Sequence, residues 1–156
     1  MLFQVIQVLT TVALVYYAYV TIREAKRNRR KSTIERMLMN LYSPLREILT
    51  RARDETTVER HRARIEKGPR DYALTEHELN RIHEIIERFG HYLDSTELLR
   101  LRKDLQKYDT IIPAYDPSKG PVTWYRFLDN DLDHHLEYMD KKCVQLANEL
   151  RNLTSI

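Results

Sequence analysis

Residues 1–22 read MLFQVIQVLTTVALVYYAYVTI, and no charged side chain occurs among them. As an α-helix this stretch is roughly 33 Å long at about 1.5 Å per residue, enough to cross a hydrocarbon core of roughly 30 Å. Gln4, Gln7, Thr10 and Thr11 dilute its apolar character without interrupting it. A cleaved signal peptide carries basic residues ahead of its apolar run and small residues at its exit. Here nothing basic precedes Leu2, and the exit reads Tyr16-Tyr17-Ala18-Tyr19-Val20-Thr21. A buried helix of a soluble protein is usually shorter and broken by charge. The stretch is therefore expected to be a retained transmembrane anchor over 1–22, with everything else in the chain organised behind it.

Directly after it, 23–31 form a basic juxtamembrane segment in which Arg23, Lys26, Arg27, Arg29, Arg30 and Lys31 face a single acid, Glu24. Lys and Arg in short flanks stay on the cytoplasmic side. All of them lie after the helix, so the N-terminus is expected outside and the remaining residues in the cytoplasm. Tyr16, Tyr17 and Tyr19 then sit where an aromatic belt meets the inner headgroups. Gln4 and Gln7, one turn apart, either face a partner helix or lie at the outer interface; their position near the end of the span favours the interface.

The 134 residues that follow the anchor are enough for one domain, 32–156, with a real core. Three glycines disfavour a β-rich fold with many tight turns, and Leu, Glu, Arg and Lys at helical spacing point to an all-α body. The formal charge of +3 hides a polarity: 23–70 total +8 and 71–156 total −5. A basic end beside an anionic leaflet and an acidic end away from it suit a membrane-tethered protein. Nucleic acid is the rival partner for the basic end, but the run lacks interleaved aromatics and lies within about one Debye length of the bilayer. One cysteine, Cys143, excludes an internal disulfide; on an apolar helix stripe it reads as a small core residue in a reducing compartment.

Along the chain, Ile34, Leu38, Leu41, Leu45 and Leu49 form one helical stripe that stays in phase across Pro44. Ser43-Pro44 could open a new helix, but the unbroken phase favours a kink in a continuing one. Between Arg51 and Lys67 the apolar signal fades into mixed charge, the composition of a solvated helix or mobile segment, and Gly68-Pro69 ends it. Thr75-Glu76-His77-Glu78 is a capping box stapled by Leu74 and Leu79, and Leu79, Ile82, Ile86, Phe89 and Leu93 follow at helical spacing. Asp94-Ser95-Thr96-Glu97 is a second box-like start, leading to Leu98, Leu101, Leu105 and Tyr108. Three prolines and Gly120 make 109–122 a loop that packs down through Ile111, Ile112 and Tyr115. From about Trp124, a long last helix carries Tyr125, Leu128, Leu132, Leu136, Met139, Cys143, Leu146, Leu150 and Leu153, with Trp124 and Tyr125 as core or interface anchors. The economical arrangement is a bundle of about four helices, with the two shorter ones packed along the last and the 32–66 helix as the fourth. Self-association through the last helix as a coiled coil ranks second.

One cluster could carry chemistry: Asp129, Asp131, Asp133, His134, His135, Glu137 and Asp140. Asp131 and His135 share a helix face, and Glu87 and His91, also four apart, could meet them to complete a carboxylate–histidine metal site. Against this, the acids and histidines flank the leucine stripe, where they would fill a solvated face and complement the helix dipole. No catalytic motif, phosphate-binding glycine loop or zinc signature is present, so neither a catalytic residue nor a cofactor is assigned. The expected role is a single-pass membrane-anchored interaction protein: an accessory or scaffold subunit of a membrane complex, or a tether at the inner leaflet. Its expected partners are the anionic inner leaflet and other membrane-protein subunits or a second copy. A metal-dependent membrane enzyme or sensor, and a tethered nucleic-acid binder, are the alternatives.

Overall fold

The computed structural model describes residues 2–63, 72–108, 110–116, 120–127 and 131–155. A single helical path runs from α1 (Leu2–Met37) through one π-helical turn (Leu38–Tyr42) into α2 (Ser43–Ala63), roughly 90 Å at about 1.5 Å per residue. Its first part is long and apolar enough to span a membrane, and that apolar window buries nothing against the rest of the chain. Phe3 is 82%, Leu14 64% and Tyr17 73% exposed. The threonine hydroxyls in this stretch are satisfied within the helix: Thr10 Oγ1 donates to Ile6 O at 2.8 Å, Thr11 to Gln7 O at 2.9 Å and Thr21 to Tyr17 O at 2.9 Å. A helix in lipid needs its polar groups paired internally in this way.

The helix continues through Pro44, and the π turn explains how. Proline has no N–H to bond four residues back, and its ring clashes with the carbonyl there. Just before it the ladder steps out by one residue, the Ser43 N–H donating to Leu38 O, which widens the turn that meets the ring. The widened turn lies at the centre of the fold, where Leu41 and Tyr42 are buried and α3 and α5 pack on it. The expected stripe follows: Ile34, Leu41, Leu45 and Leu49 are buried, joined by Ile48 and Ala52.

The body is all-α, a bundle in which α3 (Glu76–Phe89), α4 (Ser95–Asp104) and α5 (Asp131–Thr154) gather around the long helix. The capping box at α3 forms as expected. Thr75 Oγ1 accepts from the Glu78 N–H at 3.2 Å, and Glu78 Oε2 accepts from the Thr75 N–H at 2.8 Å, with Leu74 and Leu79 buried on either side. Thr75→Ala is expected to cost about 1 kcal/mol by removing one half of that reciprocal cap, measurable as a lower midpoint in denaturant unfolding of the detergent-solubilised chain. Between α3 and α4 lies a 3₁₀ turn, Gly90–Tyr92. Gly90 is buried there, and a Cβ on it would come within 3.1 Å of Leu98 Cδ1, which would have to give by a few tenths of an ångström.

Three expectations change. The stretch 109–122, read as a loop, instead supplies β2 (Thr110–Asp116) and the start of β3 (Gly120–Phe127). The last helix begins at Asp131, not near Trp124, because 124–127 end β3. With β1 (Tyr72–Thr75) these make one small antiparallel sheet in the order β1-β3-β2, set against the helical body. Tyr72 lies opposite Phe127 and Leu74 opposite Tyr125. Directly opposed residues share a face, and this face is the one that enters the core: Tyr72, Leu74 and Phe127 are buried and Tyr125 is half-buried. Tyr108 closes it edge-on, 5.0 Å from the Tyr125 ring and 6.1 Å from the Phe127 ring. Two of the three prolines that suggested a loop occupy tolerant places, and Pro117 lies outside the described residues. Pro113 is on the edge strand β2, and β1 covers only 124–127 of β3, so Pro121 lies where β3 is paired on one side.

Helix α5 lies antiparallel to the long helix, with Arg46 paired to Asp140, Arg30 Nε 2.5 Å from Glu149 Oε1, and Arg27 Nε 2.9 Å from Leu153 O. Its leucine stripe is internal: Leu132, Leu136, Met139 and Leu146 are buried, and Cys143, Leu150 and Leu153 pack against them half-buried. Helix α4 packs against α5 as expected, whereas α3 packs on α2, the π turn and the sheet. The charged tail of α2 and the helix stop at Gly68-Pro69 fall largely outside the described residues, as does Leu128.

Candidate functional site

Three residues on the inner face of α4 and the first turns of α5 make the most unusual feature of the core. On α4, Glu97, Leu101 and Asp104 are spaced by four and three and all turn inward, each less than a tenth exposed. On α5, His135 stands three residues after Leu132 and four before Met139, within the leucine stripe, and is 0% exposed. Its two ring nitrogens meet the two acids: Nδ1 is 2.5 Å from Glu97 Oε1, and Nε2 is 3.0 Å from Asp104 Oδ2. Both ring nitrogens therefore lie within hydrogen-bonding distance of a buried acidic side chain.

Neighbouring groups balance the remaining charge. Lys107 Nζ is 2.9 Å from Asp104 Oδ1, and Arg100 Nε is 3.8 Å from Asp104 Oδ2. His134, nearly half exposed, places Nε2 3.6 Å from Glu97 Oε2. Burial by itself would raise the Asp104 carboxyl, but hydrogen bonds from Lys107 and His135, reinforced by their charges, outweigh it and hold the group below the usual carboxylate range. Beside this cluster, Tyr138 donates to Asp94 Oδ2 at 2.8 Å, and burial together with that bond pushes its phenol well above the usual range. Burial likewise raises the Cys143 thiol despite a hydrogen bond from Ser43, keeping it protonated at neutral pH.

This arrangement differs from the expected one in specific ways. His135 is not on a solvated face; it is a core residue, and its partners come from α4. Asp94 and Glu97 do not close the second capping box: the Asp94 side chain makes no cap hydrogen bond and instead takes Tyr138, while Glu97 turns in to His135. Of the other metal candidates, Glu87 and His91 are exposed, His91 stacking beside Tyr92 with ring centres 4.0 Å apart, and neither is among the partners of His135. Asp131 opens α5, and its side chain lies outside the described residues. Asp133 accepts from the Tyr72 hydroxyl at 2.5 Å, tying α5 to β1. Among the described residues no three His, Cys, Asp or Glu side chains converge as a metal ion requires. Glu97 and Asp104 approach opposite edges of the His135 ring, which makes a closed hydrogen-bonded clasp between α4 and α5.

A second site of interest is the end of the body nearest the apolar stretch. Of the six bases in 23–31, Arg27 and Arg30 bind the last turns of α5, and Arg27 donates to a carbonyl in its final turn. Arg23, Lys26 and Arg29 are exposed. Tyr16, Tyr17 and Tyr19, the expected belt, are exposed on the last turns of the apolar stretch. The two charge halves of the chain therefore meet across the bundle, through Arg30–Glu149, Arg46–Asp140 and Arg51–Glu78, and the acidic half is not confined to the far end. Comparison of the chain with protein-family models, with characterised proteins and with solved structures returned no match.

Proposed function

We propose that this chain is a single-pass membrane protein whose helical body faces the cytoplasm and works by binding, as an accessory or scaffold subunit of a membrane complex or as a tether at the inner leaflet. The observation that carries this reading is the continuity of the long helix: the surface left uncovered from Phe3 to Tyr19 passes without a break into the segment that supplies Ile34, Leu41 and Tyr42 to the core. An apolar all-round surface that no other part of the chain covers is what lipid accommodates. The one-sided basic flank supports the cytoplasmic placement. The Glu97–His135–Asp104 clasp fits a packing role in this reading, its imidazole buried with both nitrogens engaged between α4 and α5.

The test is extraction followed by protease protection. Membranes from cells producing the full chain should retain it through alkaline carbonate, and protease added outside intact cells or spheroplasts should leave the 32–156 body uncut. Release by carbonate would refute the anchor, and digestion from outside would reverse the orientation.

A further inference from the structure

The end of α5 does more than pack against α1. Beside the Arg27–Leu153 bond the two helices leave a cleft of about 360 Å³ lined by Glu24, Arg27, Asn28, Lys31, Leu153 and Thr154. Arg27 uses two of its N–H groups on Leu153 O, and the Thr154 hydroxyl bonds back into the last turn of α5. Lys31 is the unused cation: it is half-buried at the cleft and has no ion-pair or hydrogen-bond partner among the described residues. The Lys31 stem lies against the end of α5 while its ammonium makes no ion pair, so an anion that enters the cleft meets a cation not already engaged.

Position specifies which anion. Measured from Ile22, Arg27 lies about 8 Å and Lys31 about 13 Å further along the helix, against a headgroup layer of roughly 5–8 Å per leaflet. Helical side chains lean toward the N-terminus, which here is the bilayer side, so a long lysine stem brings its ammonium back toward that layer. Glu24 rims the cleft on its bilayer side, where Arg23 and Lys26, adjacent in sequence, keep the local charge positive. We propose that this cleft between α1 and the end of α5 is a binding site for the phosphate of an anionic lipid headgroup, with Lys31 as its principal cation and Asn28 as a neutral donor. The site rests on the membrane-anchored reading for its source of ligand. It makes the end of α5 a reader of the leaflet: a headgroup bound there braces the body against the surface from which the long helix emerges.

The experiment uses the full chain in mild detergent, titrated with phosphatidic acid or phosphatidylcholine and read as retained lipid by native mass spectrometry. Phosphatidic acid should be retained at least fivefold over phosphatidylcholine. Lys31→Gln should reduce that retention about fivefold, the size expected for one lysine at an anionic surface, and Lys31→Arg should restore most of it. Arg29→Gln, an exposed base two residues away and roughly 160° around the helix, should change it less than twofold. Equal losses in Lys31→Gln and Arg29→Gln would show diffuse attraction and overturn the site, as would the absence of any preference for phosphatidic acid. Glycerol 3-phosphate binding as tightly as the lipid would assign the cleft to a soluble phosphate ester and overturn the lipid. Because the titration needs no bilayer, it is independent of the carbonate test, whose failure alone would refute the anchor.

Discussion

Replacing His135 with alanine should destabilise the body by about 3–5 kcal/mol, an effect as large as any core deletion, because it leaves Glu97 and Asp104 buried without the ring nitrogens that both of them face. The loss is one of polar pairing as well as packing, which makes it separable. Converting the whole clasp to apolar residues of similar volume, Glu97→Met, Asp104→Leu and His135→Phe together, should recover most of the stability, since the cost of burying the ions disappears along with their attraction. Thermal melts of the detergent-solubilised chain, followed by circular dichroism, compare the two. If His135→Ala melts within a degree or two of the unmodified protein, the clasp is not a structural element.

The acid side of the stability profile should carry the mark of Asp104. Its carboxyl is held below the ordinary range in the folded state, so its contribution is complete above the unfolded value of about 4 and is lost as pH falls through the lower folded value. Asp104→Asn should therefore flatten the decline in stability below about pH 4 while lowering stability at neutral pH. An unchanged acid limb would mean that other carboxylates dominate it.

Leu136→Ala is expected to cost about 2–5 kcal/mol through lost burial and the cavity left behind, for Leu136 is only 2% exposed in the same helix that presents His135. The two neighbours should respond differently to rescue. Leu136→Met, nearly isosteric, should cost less than about 1.5 kcal/mol, whereas His135→Gln, whose single amide cannot span both acids as the ring does, should remain strongly destabilising. A small loss for Leu136→Ala would place α5 outside the core and contradict the packing of Leu132, Leu136 and Met139.

Much of the helical architecture was legible because it depends on local period. The stripe Ile34 to Leu49, the capping box Thr75–Glu78 and the run Leu132 to Leu153 are patterns that a helix alone satisfies, and each forms where the residues place it. The sheet was less so. Thr110-Ile-Ile and Val122-Thr-Trp-Tyr have the β-branched and aromatic character of strands, but Pro113, Pro117 and Pro121 mask it, and tolerance of a proline depends on which side of a strand is paired. Most of the sheet is the hairpin of β2 and β3, paired outward from Asp116 and Gly120, and β1 adds only the stretch 124–127 of β3 from nearly fifty residues away.

Two signals for the clasp were present at the level of spacing. Glu97 and Asp104 flank Leu101 at four and three residues, and His135 stands at three and four from Leu132 and Met139. Spacing puts a side chain on the inner face but does not state its partner, and an acid or histidine at such a position reads equally as the edge of a solvated face. The amino-acid sequence by itself determined the long apolar first stretch, the basic flank and the inner faces of the helices, because length, charge and period are local quantities. Only the tertiary structure decided that Lys31 borders a cleft with α5, that Arg27 caps that helix and that His135 closes between Glu97 and Asp104, because ionised groups lose water only when distant segments pack together, and their partners are then whichever opposite charges the packing brings within reach.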